Sequence, residues 1–297
     1  MNRLDFLKLA GMIPLAGALS SLKSLEQYAD TLLSTEPLPI FFFGHGSPMN
    51  AIEENEFSKT WQQIGKSIPK PNAILCISAH WLTRGTFVTA MDQPNTIHDF
   101  GGFPDELFAV QYPAKGNPQL AKETSALFED GKVGLDYNWG LDHGCWSVVK
   151  HLYPAADVPV IQFSIDFYKP AIYHYNLAKQ LAALRRKGIL IIGSGNMVHN
   201  LRMVAWDKMN IDGYGFDWAL EANEQMKKYI QEGAHQPLIE YQKQGPAFEL
   251  AIPTVDHYLP MLYILALQEK GESISFFNDK AVMGSLTMTS FSISRNR

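Results

Sequence analysis

The feature that most narrows the folds open to this 297-residue chain is a series of short apolar runs alternating with amphipathic stretches. Leu38 to Phe43, Ala73 to Ser78, Thr86 to Ala90, Val158 to Ser164 and Ile189 to Gly193 read as strands. Several are apolar on both faces, as strands of a sheet covered on both sides must be. Between them Phe57 to Ile64, Leu120 to Phe128 and Tyr173 to Leu184 carry apolar residues at helical spacing. The order β, α, β, β, α, β, α, β predicts an α/β fold with a largely parallel sheet flanked by helices. Beyond Gly195 the pattern turns helical, with Trp218 to Gln231 and Tyr258 to Leu267. Ser273 to Phe277 and Leu286 to Ile293 then return as strands and make the sheet mixed. No repeat, low-complexity tract or Pro/Gly/Ser-rich linker divides the chain, so one domain over residues 36–297 is expected.

Composition excludes several classes of function. Hydrophobic residues make up 46% of the chain, ample for a sizeable core. The formal net charge of -5 comes with no Lys/Arg stripe, so nothing draws a nucleic-acid backbone. Cys76 and Cys145 are the only cysteines, which rules out a disulfide framework. Residues 1–24 carry Arg3 and Lys8, a short apolar stretch and the run Ala16-Gly17-Ala18. They read either as an export signal or as an N-terminal helix packed on the body, and the apolar stretch is too short for an integral membrane span. The segment resembles a twin-arginine signal in which Leu4 replaces the second arginine. Localisation is therefore cytoplasmic or, by this degenerate signal, periplasmic.

Four of the nine histidines sit where strand-like runs give way to small-residue turns or a helix start: His45 in FFFGHGSPMN, His80 in ILCISAHW, His199 in IIGSGNMVHN and His257 in TVDHYLPM. In an open α/β sheet ligands bind beyond the carboxyl ends of the strands, so residues far apart in sequence can converge there. Gly44, Gly46, Gly193 and Gly195 permit tight turns and close backbone approach around two of them. These four histidines are candidates for a metal site. His98 in IHDFGGFP and His143 in GLDHGCW lie in stretches of low helix and strand propensity, where function often resides. His151, His174 and His235 lie on or beside helical stretches and read as structural. No dinucleotide fingerprint, P-loop, serine elbow, H-E-x-x-H or Cys-rich zinc pattern occurs.

The ordered motifs GHGSPM, SAHW, HDFGGFP, GLDHGCW, GSGNMVHN and DHYLP resemble the 4,5-DOPA dioxygenase-like branch of the class III extradiol ring-cleavage dioxygenases, from about Leu38 to the C-terminus. The resemblance implies an α/β fold with a mixed central sheet, one divalent metal, and a small catechol and O2 as partners. It places metal-binding histidines at His45, His80, His199 and His257, and acid/base residues at His143 and His199. His45, His80 and His257 are read as the core ligands, and His199 as a fourth ligand or an acid/base. His98, Asp99 and Phe103 are expected on a substrate-binding wall or lid, and Arg84 and Arg202 could meet a substrate carboxylate.

Much of the superfamily uses two histidines and a carboxylate on non-haem Fe(II), whereas His257 here takes the carboxylate's place. Fe(II) is expected for dioxygenase activity, but three neutral imidazoles also suit Zn(II). Glu249 or Asp256 could restore a carboxylate. Two alternatives follow: a zinc-dependent hydrolase on the same scaffold, with turnover that persists without oxygen, and a non-catalytic Memo-like binding protein, which would have no use for His143.

Overall fold

A computed structural model of the chain describes residues 36–129 and 131–295. The segment read as an export signal or N-terminal helix, residues 1–24, lies outside the described residues. Eight strands form one sheet: β1 (Ile40–Gly44), β2 (Ala73–Thr83), β3 (Thr86–Thr89), β4 (Val133–Asp136), β5 (Val160–Asp166), β6 (Ile189–Gly195), β7 (Glu272–Phe277) and β8 (Ser290–Arg295). Their order across the sheet is β4-β3-β5-β2-β6-β1-β8-β7. The centre is parallel, β5 to β2, β2 to β6 and β6 to β1. At one side β3 meets β5 antiparallel and β4 runs parallel to β3. At the other, β8 and β7 are added antiparallel. The expected mixed, largely parallel sheet is the one that forms.

Strands β1, β5 and β6 are buried along their whole length, which is why they read as unbroken apolar runs. Successive side chains point to opposite faces, so Ile40 and Phe42 join one core and Phe41 and Phe43 the other. The main helices are α1 (Glu56–Ser67), α2 (Pro118–Ser125), α3 (His143–Leu152), α4 (Ala171–Ala178), α5 (Asp217–Gln231) and α6 (Leu259–Ala266). Helices α1 and α3 cover the Phe41 face with Trp61 and Trp146, and the other four cover the Phe42 face. No helix among the described residues is long and apolar enough to cross a membrane.

Four local expectations are corrected. GLDHGCW is not a loop, because His143 begins α3, with Asp142 as its N-cap accepting from the Cys145 N–H at 3.0 Å. Gly144, Val148 and Val149 depress helix propensity there, and nearly every residue of α3 is buried, so packing makes this helix. His151 accordingly lies in its last turn. The four-residue strand β4 was not anticipated. The run Leu286 to Ile293 is split, its first two residues pairing with Ala281–Val282 before β8 starts at Ser290. The helix expected from Tyr173 to Leu184 is broken after Ala178 by a turn of 3-10 helix.

Candidate metal centre and active-site cavity

His45 follows β1 directly. His80 lies inside β2 and not after it. Strand β2 pairs with β6 only as far as Ser78, and its register against β5 shifts between Ile77 and Leu82. Such an irregularity re-aims side chains, here past the end of β6. His199 stands four residues beyond β6, held by a bridge to Leu286. His257 occupies the turn into α6, and its carbonyl accepts from the Asn196 N–H at 2.9 Å. A Cβ on Gly195 would lie 2.2 Å from that carbonyl oxygen, so only glycine lets the turn close on β6.

These placements bring His45, His80 and His257 together, one ring nitrogen of each within 4.8 Å of the others. The outward nitrogen of each ring is engaged. Nδ1 of His45 lies 3.0 Å from Ser194 Oγ, whose own proton goes to the Gly144 carbonyl. Nδ1 of His80 lies 3.2 Å from Asp99 Oδ2, and Nδ1 of His257 is bonded to Asp256. Carboxylate partners fix the Nδ1–H tautomer and leave the Nε2 lone pair inward, the arrangement found behind metal-bound imidazoles. Nε2 of His45 and Nε2 of His80 are 3.2 Å apart. Two lone pairs facing each other at that distance repel unless a cation lies between them, so the donor set fits a divalent metal.

Electrostatics agree. Burial, reinforced by His80, holds His45 well below its ordinary pKa. Burial pushes His257 down to about 4 against the pull of Asp256. His80 goes the other way: burial lowers it, but Asp99 and Asp142 outweigh that and favour positive charge there. Asp256 supports His257 from behind and, with His199 and His257, forms a second group of possible ligands, whereas Glu249 is exposed on the surface.

The cavity over this cluster has a volume of about 330 Å³ and is lined by all four expected metal histidines, His143, Phe100 and Phe103 among others. That size suits a ligand at the small end of the usual range. His143 faces His80 with ring centroids 3.8 Å apart. Its Nδ1 is 3.0 Å from Asp99 Oδ2 and its backbone N–H donates to Asp99 Oδ1 at 2.9 Å. Burial favours protonating Asp99, yet bonds from His143 and His80 hold it well below the usual carboxylate range. His199 does not join the three-histidine cluster. It stacks on His257, ring centroids 3.6 Å apart and planes 7° from parallel, and burial lowers its pKa strongly.

The remaining candidates separate. Phe103 lines the cavity, whereas His98 lies behind it, with Nε2 2.9 Å from the Val110 carbonyl and its ring against Phe100 and Trp146. Asp99 bonds to His80 and His143 instead of forming wall. Arg84 stacks on Tyr168 beside a separate hollow, Arg202 is exposed, and neither is among the residues that line the cavity. Sequence reasoning missed Ser194, Asp142 and the wall residues Leu201, Val204, Trp206, Met283 and Leu286. The apolar residues Leu201, Val204 and Trp206 shortly after GSGNMVHN, the first and last of them opening single turns of 3-10 helix, were the one available signal.

An α/β sheet that gathers three imidazoles, two of them buried, beside the carboxyl ends of its central strands, with a carboxylate-paired histidine at the same small cavity, has the form of a single-metal enzyme centre. The chain matches the model of the catalytic LigB subunit of aromatic ring-opening dioxygenase over residues 39–286. It is 45% identical over 269 residues to 4,5-DOPA dioxygenase extradiol of Escherichia coli K12, covering 89% of this chain and 97% of that one. It is 36% identical over 228 residues to 4,5-DOPA dioxygenase extradiol of Beta vulgaris, covering 74% and 83%. The crystal structure of an uncharacterized protein from Escherichia coli K12 superposes with a TM-score of 0.74 at 41% identity, over 86% of this chain and all of that one. The chain belongs to the LigB family of ring-opening dioxygenases, in its 4,5-DOPA dioxygenase-like extradiol branch, and family membership implies a bound metal.

Proposed function

We propose that this enzyme opens the ring of a small catechol with O2, at the bond beside the diol, to give a semialdehyde acid. The observation that carries the reading is the position of His143, paired with Asp99 and facing the same cavity as the Nε2 atoms of His45, His80 and His257. Those three imidazoles would hold one divalent metal, and Fe(II) is the ion proposed for the reaction. Bound there, Fe(II) supplies the one-electron chemistry that lets O2 react with a catecholate. The names of the relatives support a DOPA-like catechol as the substrate class.

The chain's own residues handle orientation and protons. With Nδ1–H committed to Asp99, neutral His143 offers the Nε2 lone pair to the cavity, where it accepts a proton from the incoming catechol. The Asp99 carboxylate stabilises the resulting imidazolium, and the same group returns the proton later as general acid. Burial lowers the pKa of His143 while Asp99 partly offsets it, which favours the neutral base at rest. Three neutral imidazoles leave the centre one unit more positive than a two-histidine, one-carboxylate set, which favours an anionic catecholate. Phe100 and Phe103 meet edge to face, ring centroids 5.5 Å apart, and close one side of the substrate ring. His199, stacked on His257 and lining the same cavity, serves as a second proton-handling group in this reading.

The test is an oxygen-electrode assay of anaerobically Fe(II)-loaded protein with catechol, 4-alkylcatechols, DOPA, caffeate and protocatechuate. Stoichiometric oxygen uptake with a yellow semialdehyde is expected. Inactivity across the panel with iron demonstrably bound would sink the proposal.

A further inference from the structure

The cavity has two unlike sides. One is the histidine cluster, and the other is the apolar wall of Leu201, Val204, Trp206, Met283 and Leu286, which runs out into water at Leu201, 61% exposed, and Trp206, 67% exposed. We infer that Arg202, at the rim of this wall, is the specificity-determining residue that meets the carboxylate of an amino-acid or alkanoate side chain carried by the catechol. The inference rests on the catechol chemistry proposed above and deepens it by naming the group that reads the substrate's side chain.

Local geometry puts Arg202 at the rim. Leu201–Met203 is a single turn of 3-10 helix, in which residues three apart share a face. Leu201 and Val204 are so related and both line the cavity, while Arg202 stands a third of a turn round from them and is exposed. The turn is held from beneath. Arg202 N donates to Asn200 Oδ1 at 3.2 Å, Asn200 N to Ser285 O at 3.1 Å, and Asn200 Nδ2 to Leu250 O at 2.8 Å. Ala205 N donates to Met283 O at 2.9 Å and ties the far end of the segment. The backbone that carries Arg202 is thus set before any ligand arrives, and only its side chain has freedom to lose on binding.

Charge supplies the second argument. None of the described residues lining the cavity is Lys, Arg, Asp or Glu. A carboxylate that entered with the substrate would lose water there unless a cation reached it from the rim. The other cations nearby are committed: Arg84 stacks on Tyr168 beside another hollow, Lys280 pairs with Glu56 and Asp212, and Lys208 pairs with Asp207 at 3.2 Å. Among the described residues no carboxylate holds Arg202, so its guanidinium is open to a bidentate pair with an incoming one. With the two catechol oxygens toward the histidines, a substituent on the opposite edge of the ring runs along the wall, its methylenes against Leu201 and Val204 and its carboxylate at Arg202. No lining carboxylate waits for an ammonium, so that of DOPA stays in water.

Dihydrocaffeate and dopamine share a catechol ring and a short side chain but end in opposite charges, so they make the decisive pair. With iron-loaded wild type, kcat/KM is expected to be at least about tenfold higher for dihydrocaffeate than for dopamine, with DOPA near dihydrocaffeate. Arg202→Gln should lower that ratio about tenfold, chiefly through the KM of dihydrocaffeate and DOPA, Arg202→Lys should keep part of it, and Arg202→Glu should invert it. Anaerobic calorimetry should show the same order in binding, and added salt should shrink the wild-type ratio but not that of Arg202→Gln. Because the position is exposed, Tm should not move, which separates recognition from a role in folding. A ratio within about twofold of wild type in Arg202→Gln, with catechols still opened, overturns the inference and leaves the catechol reading standing. If iron-loaded enzyme opens no catechol at all, the reading itself fails and the inference with it.

Discussion

Asp99 and His143 are joined twice, Nδ1 of the imidazole lying 3.0 Å from one carboxylate oxygen and the backbone N–H donating to the other at 2.9 Å. The oxygen that faces the His143 ring also lies 3.2 Å from Nδ1 of His80. One carboxylate from the HDFGGFP segment therefore orients both a metal-ligand candidate and the proposed base. Asp99→Asn keeps the shape but removes the charge that stabilises imidazolium. It should lower kcat about 10- to 100-fold while leaving most of the metal in place. Oxygen uptake and metal analysis on the same preparation check this, and full activity in the variant would contradict the role.

Ligand and base should separate by metal content. His45→Ala, His80→Ala or His257→Ala removes one of three inward nitrogens and is expected to abolish stoichiometric metal binding. His143→Ala should retain one metal per chain and lose about 10²- to 10⁴-fold in kcat. His199→Ala is expected to behave like His143→Ala, since His199 stands outside the three-histidine cluster; loss of metal there would instead make it a ligand.

His174 provides a pH-dependent stability outside the centre. It is fully buried, its Nδ1 lies 2.8 Å from the Tyr263 hydroxyl, and burial pushes its pKa down to about 4. The unfolded chain takes up a proton at about pH 6.5, whereas the folded chain resists until about pH 4. Between these values the unfolded state binds more protons, so stability is complete above pH 6.5 and falls as the pH drops toward 4. The group's share is up to about 3 kcal/mol. Urea unfolding of metal-loaded wild type and His174→Gln across this window should show a shallower slope in the variant.

Arg185 and Glu272 form an ion pair whose side chains are both fully buried. Arg185 also donates to the carbonyls of Leu38 and Leu267, joining the entry to β1, the end of α6 and the start of β7. Arg185→Met leaves Glu272 buried without its cation and should cost about 3–5 kcal/mol. The double replacement with Glu272→Met should recover most of this, because two apolar groups carry no stranded charge. Unfolding midpoints of the two variants are the measure.

Much of the architecture was legible because burial on both faces writes itself into a strand as an unbroken apolar run, as in β1, β5 and β6. His45 and His199 stood out for the same reason, since each follows such a run. The elements that were not legible are those made by their surroundings. Helix α3 carries Gly144 and two valines and exists because the sheet and α1 enclose it. A Cβ on Gly144 would meet Ser78 Oγ at 2.5 Å and His80 Cδ2 at 2.8 Å, a reason for that glycine that no local pattern states. Strand β4, four residues at the sheet edge, is too short for periodicity to register.

The sequence by itself determined the layered α/β fold and the set of histidines able to meet at the strand ends, because hydrophobic period and turn chemistry are local properties of the chain. Only the tertiary structure decided which of those histidines turn Nε2 inward, that Asp99, Asp256 and Ser194 hold them so, and that His199 stacks on His257 outside the cluster. It also decided that the segment after β6 and the Met283 turn together form the apolar wall. Apart from the neighbours Asp256 and His257, these are relations between residues from 19 to over 200 positions apart, brought together by strand order and by the register shift in β2, and orientation of that kind leaves no trace in local periodicity.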